Sequence, residues 1–567
     1  MKSKMIAKAA MCVAAAILSG CGLGEAPPFS PERIGQIQKE QAAETPPPVM
    51  DPLPPAPPPG GTVPTTLPAR TVIRPMGSAI ALTLQEVMDR TVANSLDVRV
   101  ASYQPSIDEA RILEAKARFD PVFSQSGQFQ KQWQQTGLGG SQTPAEVLTQ
   151  QVQTGIKQNL PDGGQIELSQ QMSRQDATSS QFTPQVNPFY QSQLVLQLTQ
   201  PLLKDFGGEV NRARITIARY DQRISQLEWR DKLETAMANT EEAYWKLYQS
   251  QMNVKIQEEL LSQTEDTLDI LIKRLTQDTS RVQVSQGQAA VQSRRAELVR
   301  LKAQILDISD QLKRIMNDPD LPVVSPQTIL PADKPIEEAI VFSLEDQMQT
   351  ALENRFDLMQ QKYRIASAGT VVKAAKNNVL PQLNLTGSAG LQGLGDELDA
   401  SLDKQRRSSF FIYSVALSFE VPFGNRGARA IYLRTLLQQE QTMMQYRALQ
   451  EQSALEVKRQ YREVETTWNE IIATRNARYA AADALAAINQ RQQGGDPLGM
   501  TPTFVQLKLD RQEALALAAR AEVLAIVNYN IAISQLEKAK GTIMRYNNVV
   551  TKEEPGASMG IVKGKKK

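Results

Sequence analysis

One stretch of this sequence occurs twice at a fixed distance, and this internal repeat limits the possible folds more than any other feature. The string LTLQEVMDRTVANSLDVR matches the later string FSLEDQMQTALENRFDLM at an offset of 260 positions, so that Met88 pairs with Met348 and Asn94 with Asn354. Such a repeat overrides a domain count based on chain length alone. We therefore expect two copies of one unit, each with a short helix, an asparagine-containing turn, a second helix and strands opened by a proline.

The repeat predicts how the chain is divided. Each copy should contain a strand segment followed by a long helical hairpin, and a basic tail should be disordered. The predicted ranges are 79–332 for the first copy, with strands in 119–200 and a hairpin in 209–317, 333–548 for the second copy, with strands in 381–421 and a hairpin in 427–546, and 549–567 for the tail.

The strand segments alternate between apolar and polar residues with a period of two, which predicts strands with one apolar and one polar face. Pro201 and Pro422 should end the strands that lead into the long helices, because proline cannot donate to a β-ladder. An apolar face opposite a face rich in Gln and Ser suits a barrel with a wet interior, with a soluble sandwich as the alternative. The apolar positions include Phe123, Phe129, Trp133, Ile166, Leu168, Leu194, Leu196, Leu198, Leu383, Leu385, Phe411, Tyr413, Val415, Leu417 and Phe419.

Long helices follow the strands in both copies. From Leu233 onward, apolar, small and some polar residues recur at spacings of three and four, the pattern of a coiled-coil seam. About seventy residues from Glu209 would make a rod of roughly 105 Å. Turns are expected at 277–280 and 494–497. The returning helix of the second copy contains Glu522, so we expect this helix to lie among other helices and not in lipid.

The N-terminal residues predict export and anchoring. Residues 1–20 combine a basic start with an apolar core that is too short to span a bilayer, as in a signal peptide. Leu18-Ser19-Gly20-Cys21 resembles a bacterial lipobox, which makes Cys21 the predicted lipid attachment site; the alternative is an ordinary signal with a chance cysteine. Gly22 after this cysteine favours delivery to the outer membrane. The proline-rich residues 21–78 should form a stiff tether.

Composition argues against catalysis and against nucleic-acid binding. The chain has 63 basic and 61 acidic residues, a net charge of +2, and so lacks the basic field that nucleic acids attract. It contains no histidine, which removes His-based acid–base catalysis, His-containing triads and His metal sites. No Walker or Rossmann glycine pattern occurs in the sequence. We therefore predict a protein that is not an enzyme, with no catalytic residue, no cofactor and no metal site.

A lipobox, a duplicated helix–strand–helix layout and strands closed by QPLLKDFGG and EVPFGNRGAR together resemble the TolC-like outer membrane efflux protein family, in particular its OprM-like lipoprotein branch. The resemblance covers residues 80–546. It implies an α+β membrane protein in which a homotrimer shares one β-barrel in the outer-membrane lipid, continued by an α-helical coiled-coil tunnel in the periplasm. It also implies two further partners, a periplasmic adaptor (membrane fusion) protein and an inner-membrane transporter.

The number of strands departs from the usual family pattern. Family members usually give four strands per chain and a barrel of twelve, whereas the first copy here predicts four strands and the second predicts two. Six strands per chain would make a barrel of eighteen. Alternatively, the hairpin around Pro161-Asp162-Gly163-Gly164 folds outside the barrel wall. We favour the second arrangement because the resemblance implies a tunnel of only twelve helices beneath the barrel.

The resemblance also implies how the periplasmic tips work. Leu498-Gly499-Met500-Thr501 loosely matches the adaptor-docking turn of family members. The paired aspartates that narrow the pore in family members align here with Val505 and Lys508, so we consider nearby aspartates instead. Ordinary charges on solvated turns and helix faces are the alternative interpretation. The candidate gate residues are Asp278, Asp496 and Asp510.

These observations predict a trimeric exit duct of a tripartite efflux system, which passively carries small molecules past the periplasm and the outer membrane. An exit duct for type I protein secretion is the alternative within the same class. A lipid-anchored coiled-coil scaffold is the alternative from another class, and it would explain the heptads and the tether but not the two-faced strands.

Overall fold

The computed structural model describes residues 78–136, 143–178, 187–274, 280–408, 410–493, 502–552 and 560–563. The predicted signal peptide, Cys21 and the tether up to residue 77 lie outside the described residues. The same holds for Asp278, Asp496 and the turn Leu498-Gly499-Met500-Thr501.

The first copy begins with a short strand and two helices, continues through four long strands and ends in a helical hairpin. Its elements are β1 (Ala79–Leu82), α1 (Leu84–Asn94), α2 (Leu96–Lys116), β2 (Val122–Thr136), β3 (Thr143–Asn159), β4 (Gln165–Thr178), β5 (Phe189–Pro201), α3 (Gly208–Asn211), α4 (Ala213–Lys273), α5 (Arg281–Met316) and β6 (Thr328–Pro331).

The second copy has the same order with fewer strands and one extra helix. Its elements are α6 (Leu344–Asn354), α7 (Phe356–Asn377), β7 (Gln382–Gly395), α8 (Leu398–Arg406), β8 (Phe410–Glu420), α9 (Arg426–Gln493), α10 (Pro502–Ala539) and α11 (Ile543–Tyr546). A short pair of strands follows, β9 (Val549–Lys552) and β10 (Gly560–Lys563).

The predicted α+β fold with a duplicated unit is confirmed. Helices α1 and α6 begin and end 260 positions apart, at Leu84–Asn94 and Leu344–Asn354. The first of them starts at a capping box, in which the Thr83 side chain accepts from the Glu86 backbone and Glu86 accepts from the Thr83 backbone. This arrangement satisfies backbone donors that would otherwise have no partner at the helix start.

Six strands form one antiparallel sheet in the order β2-β3-β4-β5-β7-β8. Strands of both copies therefore share a single sheet, joined where β5 pairs with β7 from Tyr190↔Gly395 to Pro201↔Asn384. The ladder ends at Pro201 and at Glu420, close to the two prolines that were predicted to stop it.

The hairpin around Pro161-Asp162-Gly163-Gly164 was expected to fold outside the barrel wall, but in the chain it is part of the same sheet as the other strands. This turn joins β3 to β4, and both strands lie inside the sheet between β2 and β5. The expectation was based on matching the number of strands to the number of helices below. The backbone groups of β3 and β4 are instead satisfied by neighbours on both sides, which an isolated hairpin could not provide.

Two long helical hairpins make up most of the chain, α4 with α5 and α9 with α10, and α4 also packs against α10. Most of the predicted seam on α4 is buried, including the polar residues Thr240, Gln257 and Thr264. A short parallel pair, β1 with β6, closes the first copy beside this core. The seam therefore packs much as the spacing of three and four predicted.

Among the described residues, one helix, Thr503–Ala539, is long and apolar enough to cross a membrane. Its packing shows why it is apolar: Val527, Tyr529 and Leu536 are at most 1% exposed within the helical core. Glu522 accepts hydrogen bonds from Arg475, at 2.9 Å, and from Arg478 on α9. The helix is therefore a core helix, as Glu522 indicated.

Two strand pairs and one helix were not predicted: the β1–β6 pair, the β9–β10 pair in the tail, and helix α8. The prediction of a disordered tail is wrong for Val549–Lys552 and Gly560–Lys563, which pair in antiparallel fashion. Both segments are only four residues long, too short for periodicity to identify them.

Candidate functional site: a two-faced sheet joined to paired helical hairpins

The sheet has two faces of opposite character, because directly opposed residues on antiparallel strands point to the same side. We call them the apolar face and the polar face. One row of opposed residues on the apolar face crosses all six strands: Phe123, Ile156, Leu168, Leu196, Ala389 and Tyr413. A row on the polar face contains Ser126, Gln153, Gln171, Gln193, Gln392 and Phe410.

The apolar face is exposed where it is most hydrophobic. On β8, Tyr413 and Val415 are 77% exposed, and Leu417 and Phe419 are 65% exposed. A contiguous apolar surface of this kind marks an interaction site or a membrane contact. The nine residues from Phe411 to Phe419 extend about 30 Å, and a strand tilt of about 45° reduces this to about 20 Å, close to the height of the apolar band of outer-membrane barrels.

Helix α8 covers the apolar face beyond this band. The Ser401 hydroxyl, fully buried, bonds to the Ser192 hydroxyl at 2.8 Å and donates to the Gly393 carbonyl at 2.9 Å. The Gln405 side-chain amide donates to the side-chain amide oxygen of Gln170 at 2.9 Å. A Cβ at Gly393 would lie 1.9 Å from the Ser401 carbonyl oxygen, so only glycine permits this approach.

Charged pairs lie at the same end of the apolar face. Lys131 and Glu146 on β2 and β3 form an ion pair, and Arg174 and Asp176 on β4 form another at 3.1 Å. By the strand register all four are on the apolar face. Hydrocarbon does not solvate such groups. Together with α8, they limit the band that can contact hydrocarbon to the rows nearer the long helices.

Each strand-to-helix join uses residues in the left-handed region of backbone space. In the first copy Asp205 has φ 64° and Gly207 has φ 102°, and the Asn211 amide donates to both of their carbonyls. In the second copy Asn425 has φ 41°, and its amide donates to the Val379 carbonyl at 2.8 Å. Such conformations suit Gly, Asn and Asp, so the strand can turn directly into a long helix.

A polar layer, which we call the tip layer, links the two hairpins near their far ends. It consists of Thr264, Arg294, Leu509 and Gln512. The Arg294 guanidinium is 7% exposed and donates to the Leu509 carbonyl at 2.9 Å and to the side chains of Thr264 and Gln512. Burial lowers the pKa of Arg294, while Glu513 and Asp510 act in the opposite direction. The layer thus joins α4 and α5 to α10.

Val505 and Lys508, which the sequence resemblance aligned with pore-narrowing aspartates, are buried inside the hairpin. Val505 packs with Leu271 and Leu509. The Lys508 ammonium donates to the Gln492 side chain at 2.7 Å, and burial lowers its pKa against the effect of Asp266. Neither side chain is free to line a pore.

Asp510 is the only predicted gate residue that the structure describes. It is exposed on α10 and accepts a hydrogen bond from Gln506 at 2.8 Å, one turn away on the same helix. Within one chain, the Asp510 side chain is an ordinary exposed group on the surface of α10. The other predicted tip residues, Asp278, Asp496, Leu498, Gly499, Met500 and Thr501, cannot be placed relative to it, because they lie outside the described residues.

Buried carboxylates lie midway along the helices. Glu234 is 3% exposed, and burial, followed by the nearby Asp231, raises its pKa to about 8, against Arg355 and Lys538. Burial also raises the pKa of Glu241, which accepts a hydrogen bond from the Ser534 hydroxyl at 2.8 Å. We call Glu234, together with the more exposed Asp231 three positions before it on α4, the carboxylate cluster. Acids in such surroundings retain their protons at a higher pH than in water.

Sequence reasoning missed the tip layer, the carboxylate cluster and α8. A signal for the first was present: Gln257 and Thr264 occupy seam positions that normally hold apolar residues, so each needs a buried partner. The Gln257 amide donates to the Arg294 carbonyl at 2.9 Å. Which residue supplies a partner for Gln257 or Thr264 depends on helix register, which periodicity does not determine.

Known proteins support this architecture. The crystal structure of the CmeC outer membrane channel of Campylobacter jejuni is 15% identical, with 81% of this chain and 86% of that chain covered and a TM-score of 0.57. The VceC outer membrane protein of Vibrio cholerae is 18% identical, with 81% and 96% covered and a TM-score of 0.57. The open state of the MtrE outer membrane channel of Neisseria gonorrhoeae is 17% identical, with 81% and 89% covered and a TM-score of 0.57.

At these identities the solved structures show a shared fold. The comparison with curated protein sequences gave no match. The model of the outer membrane efflux protein family matches residues 165–318 and 348–542, more than half of the chain and parts of both repeats. The matched ranges include β4, β5, β7, β8 and all four long helices. On this basis the chain is a member of the outer membrane efflux protein family, a family of channels.

Proposed function

We propose that three copies of this chain form the exit duct of a tripartite efflux system and passively export small molecules. The observation that carries this proposal is the exposed apolar face of the sheet, which passes directly into two long helical hairpins through the joins at Asp205–Gly207 and Asn425. A wall with lipid on one side and water on the other needs this division of faces. A scaffold surrounded by water would have no use for it.

The energy for transport comes from partners in this proposal. No Walker or Rossmann glycine pattern occurs in the sequence. An inner-membrane transporter supplies the work, and a periplasmic adaptor protein connects it to the helical tips. The turn Leu498-Gly499-Met500-Thr501 docks the adaptor, and Asp278, Asp496 and Asp510 narrow the pore when the tips are closed. A lipid on Cys21, followed by the proline-rich tether, anchors each copy in the outer membrane.

Dye efflux tests the proposal in cells of the source organism from which the gene for this protein has been deleted. We expect these cells to accumulate a fluorescent efflux substrate such as ethidium, and the wild-type gene to restore export. The variant Leu417→Arg places a charge on the apolar face and should not restore it, whereas Ser414→Arg on the polar face should.

The alternatives give different outcomes. A type I secretion duct would leave dye accumulation unchanged and remove one exported protein from the medium. An anchored scaffold would be indifferent to both substitutions, because its strands would be surrounded by water. Either result would contradict the proposed small-molecule duct.

A further inference from the structure

We propose that the barrel wall of this protein contains eighteen strands, six from each of three copies, and that copies pair through the open edges β2 and β8. This inference rests on the proposed trimeric duct and deepens it, because the strand count determines how wide the outer-membrane opening is. Three copies of the six-stranded sheet give eighteen strands.

The first argument is that β3 and β4 are full members of the sheet. β3 pairs with β2 from Val122↔Lys157 to Thr136↔Thr143, and β4 pairs with β5 from Gln165↔Thr199 to Gln175↔Phe189. The apolar row continues through Ile156 on β3 and Leu168 on β4 without a change of face. A hairpin outside the wall would have broken both the ladder and this row.

The second argument is that the two edges of the sheet lack the protection that edge strands of water-soluble sheets carry. β8 contains no proline and no lysine, and its one charge, Glu420, is at its end. β2 contains no proline and a single lysine, Lys131, which is paired with Glu146. Long edges without such protection are templates for pairing with another chain. The occupant that the duplicated duct requires is a second copy of this chain.

The third argument is strand direction. Each neighbouring pair from β2 to β8 is antiparallel, so an even number of strands leaves β2 and β8 running in opposite directions. The β8 edge of one copy can therefore continue antiparallel pairing with the β2 edge of the next. The apolar and polar faces then continue around the whole wall, which closes a barrel without a free edge.

The number of strands determines the width. With strands about 4.8 Å apart and tilted by about 40°, eighteen strands give a backbone diameter of about 36 Å, against about 24 Å for twelve. Allowing about 5 Å of side chain on each side leaves about 26 Å or about 14 Å of open lumen. Each copy contributes six strands to the barrel but only four long helices to the part below it. A barrel of this width therefore leaves the helical part as the narrowest section of the duct.

The test places single cysteines for a fluorescent label on both faces of β3 and β4, in the full chain reconstituted in vesicles. Ile156→Cys and Leu168→Cys probe the apolar face, and Gln153→Cys and Gln171→Cys probe the polar face. Leu196→Cys and Gln193→Cys are matched controls, because they occupy the same two rows on β5. The parent protein provides the labelling background. Doxyl-labelled phosphatidylcholine in the vesicles quenches labels in lipid, and iodide quenches labels in water.

If β3 and β4 are in the wall, the labels at Ile156 and Leu168 are quenched by the doxyl lipid as strongly as the label at Leu196. The labels at Gln153 and Gln171 are then quenched by iodide. If the labels at Ile156 and Leu168 were both quenched by iodide, in a trimer whose β5 controls behave as expected, the eighteen-stranded wall would be overturned. The proposed function as a duct would not be affected by that result. Loss of the trimer, or a wet label at Leu196, would instead overturn the proposed function.

Polymer exclusion in planar bilayers tests the width separately. Polyethylene glycol about 20 Å in diameter fits a lumen of about 26 Å but not one of about 14 Å. Added on the extracellular side, it should lower the conductance, whereas on the periplasmic side it should have no effect. Exclusion from both sides would contradict the wide mouth.

Discussion

The two copies agree closely in their helices and differ in their strands. Helices α1 and α6 both have 11 residues, and α2 and α7 have 21 and 22. The long helices α4 and α9 have 61 and 68 residues, and α5 and α10 have 36 and 38. In contrast, the first copy adds four strands to the sheet and the second adds two.

This difference shows which part of the repeat is constrained by packing. Each long helix must match the length of its neighbours, because a shorter one would leave part of the seam unburied. A sheet can accept an additional hairpin wherever two strands separate, provided that both faces keep their character. The β3–β4 hairpin meets this condition, since Ile156 and Leu168 continue the apolar row.

The largest predicted effect tests whether both copies contribute to the same lipid-facing wall. Leu196→Arg in the first copy and Leu417→Arg in the second should each cost about 2–4 kcal/mol per chain near the middle of the bilayer. Three copies multiply this cost, so the proposed trimer should be lost from native gels in both variants. Gel mobility of unheated samples measures this loss.

The controls for these variants are Gln193→Arg and Ser414→Arg, which lie on the polar face of the same two strands. We expect both controls to keep the trimer. If Leu417→Arg alone removed it, only the strands of the second copy would face lipid, and the comparison between the copies would have to be revised.

The second prediction concerns a chemical difference between the copies. When Trp245 is aligned with Trp468, Glu234 of the first copy matches Val457 of the second, and both are buried. The pKa of Glu234 is raised from its ordinary value of 4.5 to about 8 in the folded chain. The unfolded chain therefore loses this proton at a lower pH than the folded chain does. As a result, the free energy of unfolding should fall as pH rises from about 4.5 to about 8. Asp231, Asp357, Arg355 and Lys538 face the same group.

Glu234→Gln should remove this pH dependence and stabilise the protein at pH 7 by on the order of 3 kcal/mol. The measurement is the unfolding temperature at pH 5, 7 and 8.5. Glu258→Gln is the control, because Glu258 is 48% exposed and pairs only with Lys302 among its described contacts. A parallel pH profile for Glu234→Gln and the parent protein would show that the Glu234 carboxylate is not buried as described.

A third, smaller effect is expected in the tip layer. Arg294→Met removes hydrogen bonds to the Leu509 carbonyl and to Thr264 and Gln512, at a cost of about 1.5–3 kcal/mol for bonds to a charged donor. Amide hydrogen exchange should accelerate in α5 and α10 near this layer and remain unchanged in the sheet. Arg295→Met is the control, because Arg295 forms an exposed pair with Glu265, worth about 0–1 kcal/mol. Equal exchange in both variants would show that the layer does not hold the hairpins together.

The smallest effect on stability is expected at Asp510. Because this residue is exposed, hydrogen-bonds to Gln506 and acts on Arg294 only through its charge, Asp510→Asn should change the free energy of unfolding by less than about 0.5 kcal/mol. If it narrows the pore in the trimer, the same variant should still reduce cation selectivity in planar bilayers. Unchanged selectivity would remove Asp510 from the proposed gate.

Much of this architecture could be predicted because it follows from periodicity. The offset that pairs Met88 with Met348 located the helices of both copies, and the alternation from Phe411 to Phe419 located a strand with an exposed apolar face. These patterns are local, so they do not depend on which segments meet in space.

What could not be predicted depends on contacts between distant segments. The position of the β3–β4 hairpin in the sheet required knowing the partners of both strands. Helix α8 owes its place to Gly393 and Ser401, whose backbones meet closely, and Arg294 owes its burial to α10. Each of these features was visible as a residue type but not as a contact, because strand pairing and helix register are properties of the folded chain.

In the proposed duct, three copies share one lipid-embedded wall. The most direct test is the native mass of the mature protein, extracted with detergent from washed outer membranes and corrected for bound detergent. We expect a particle of three copies that only detergent releases. A monomer or dimer released by carbonate or salt without detergent would contradict the shared wall.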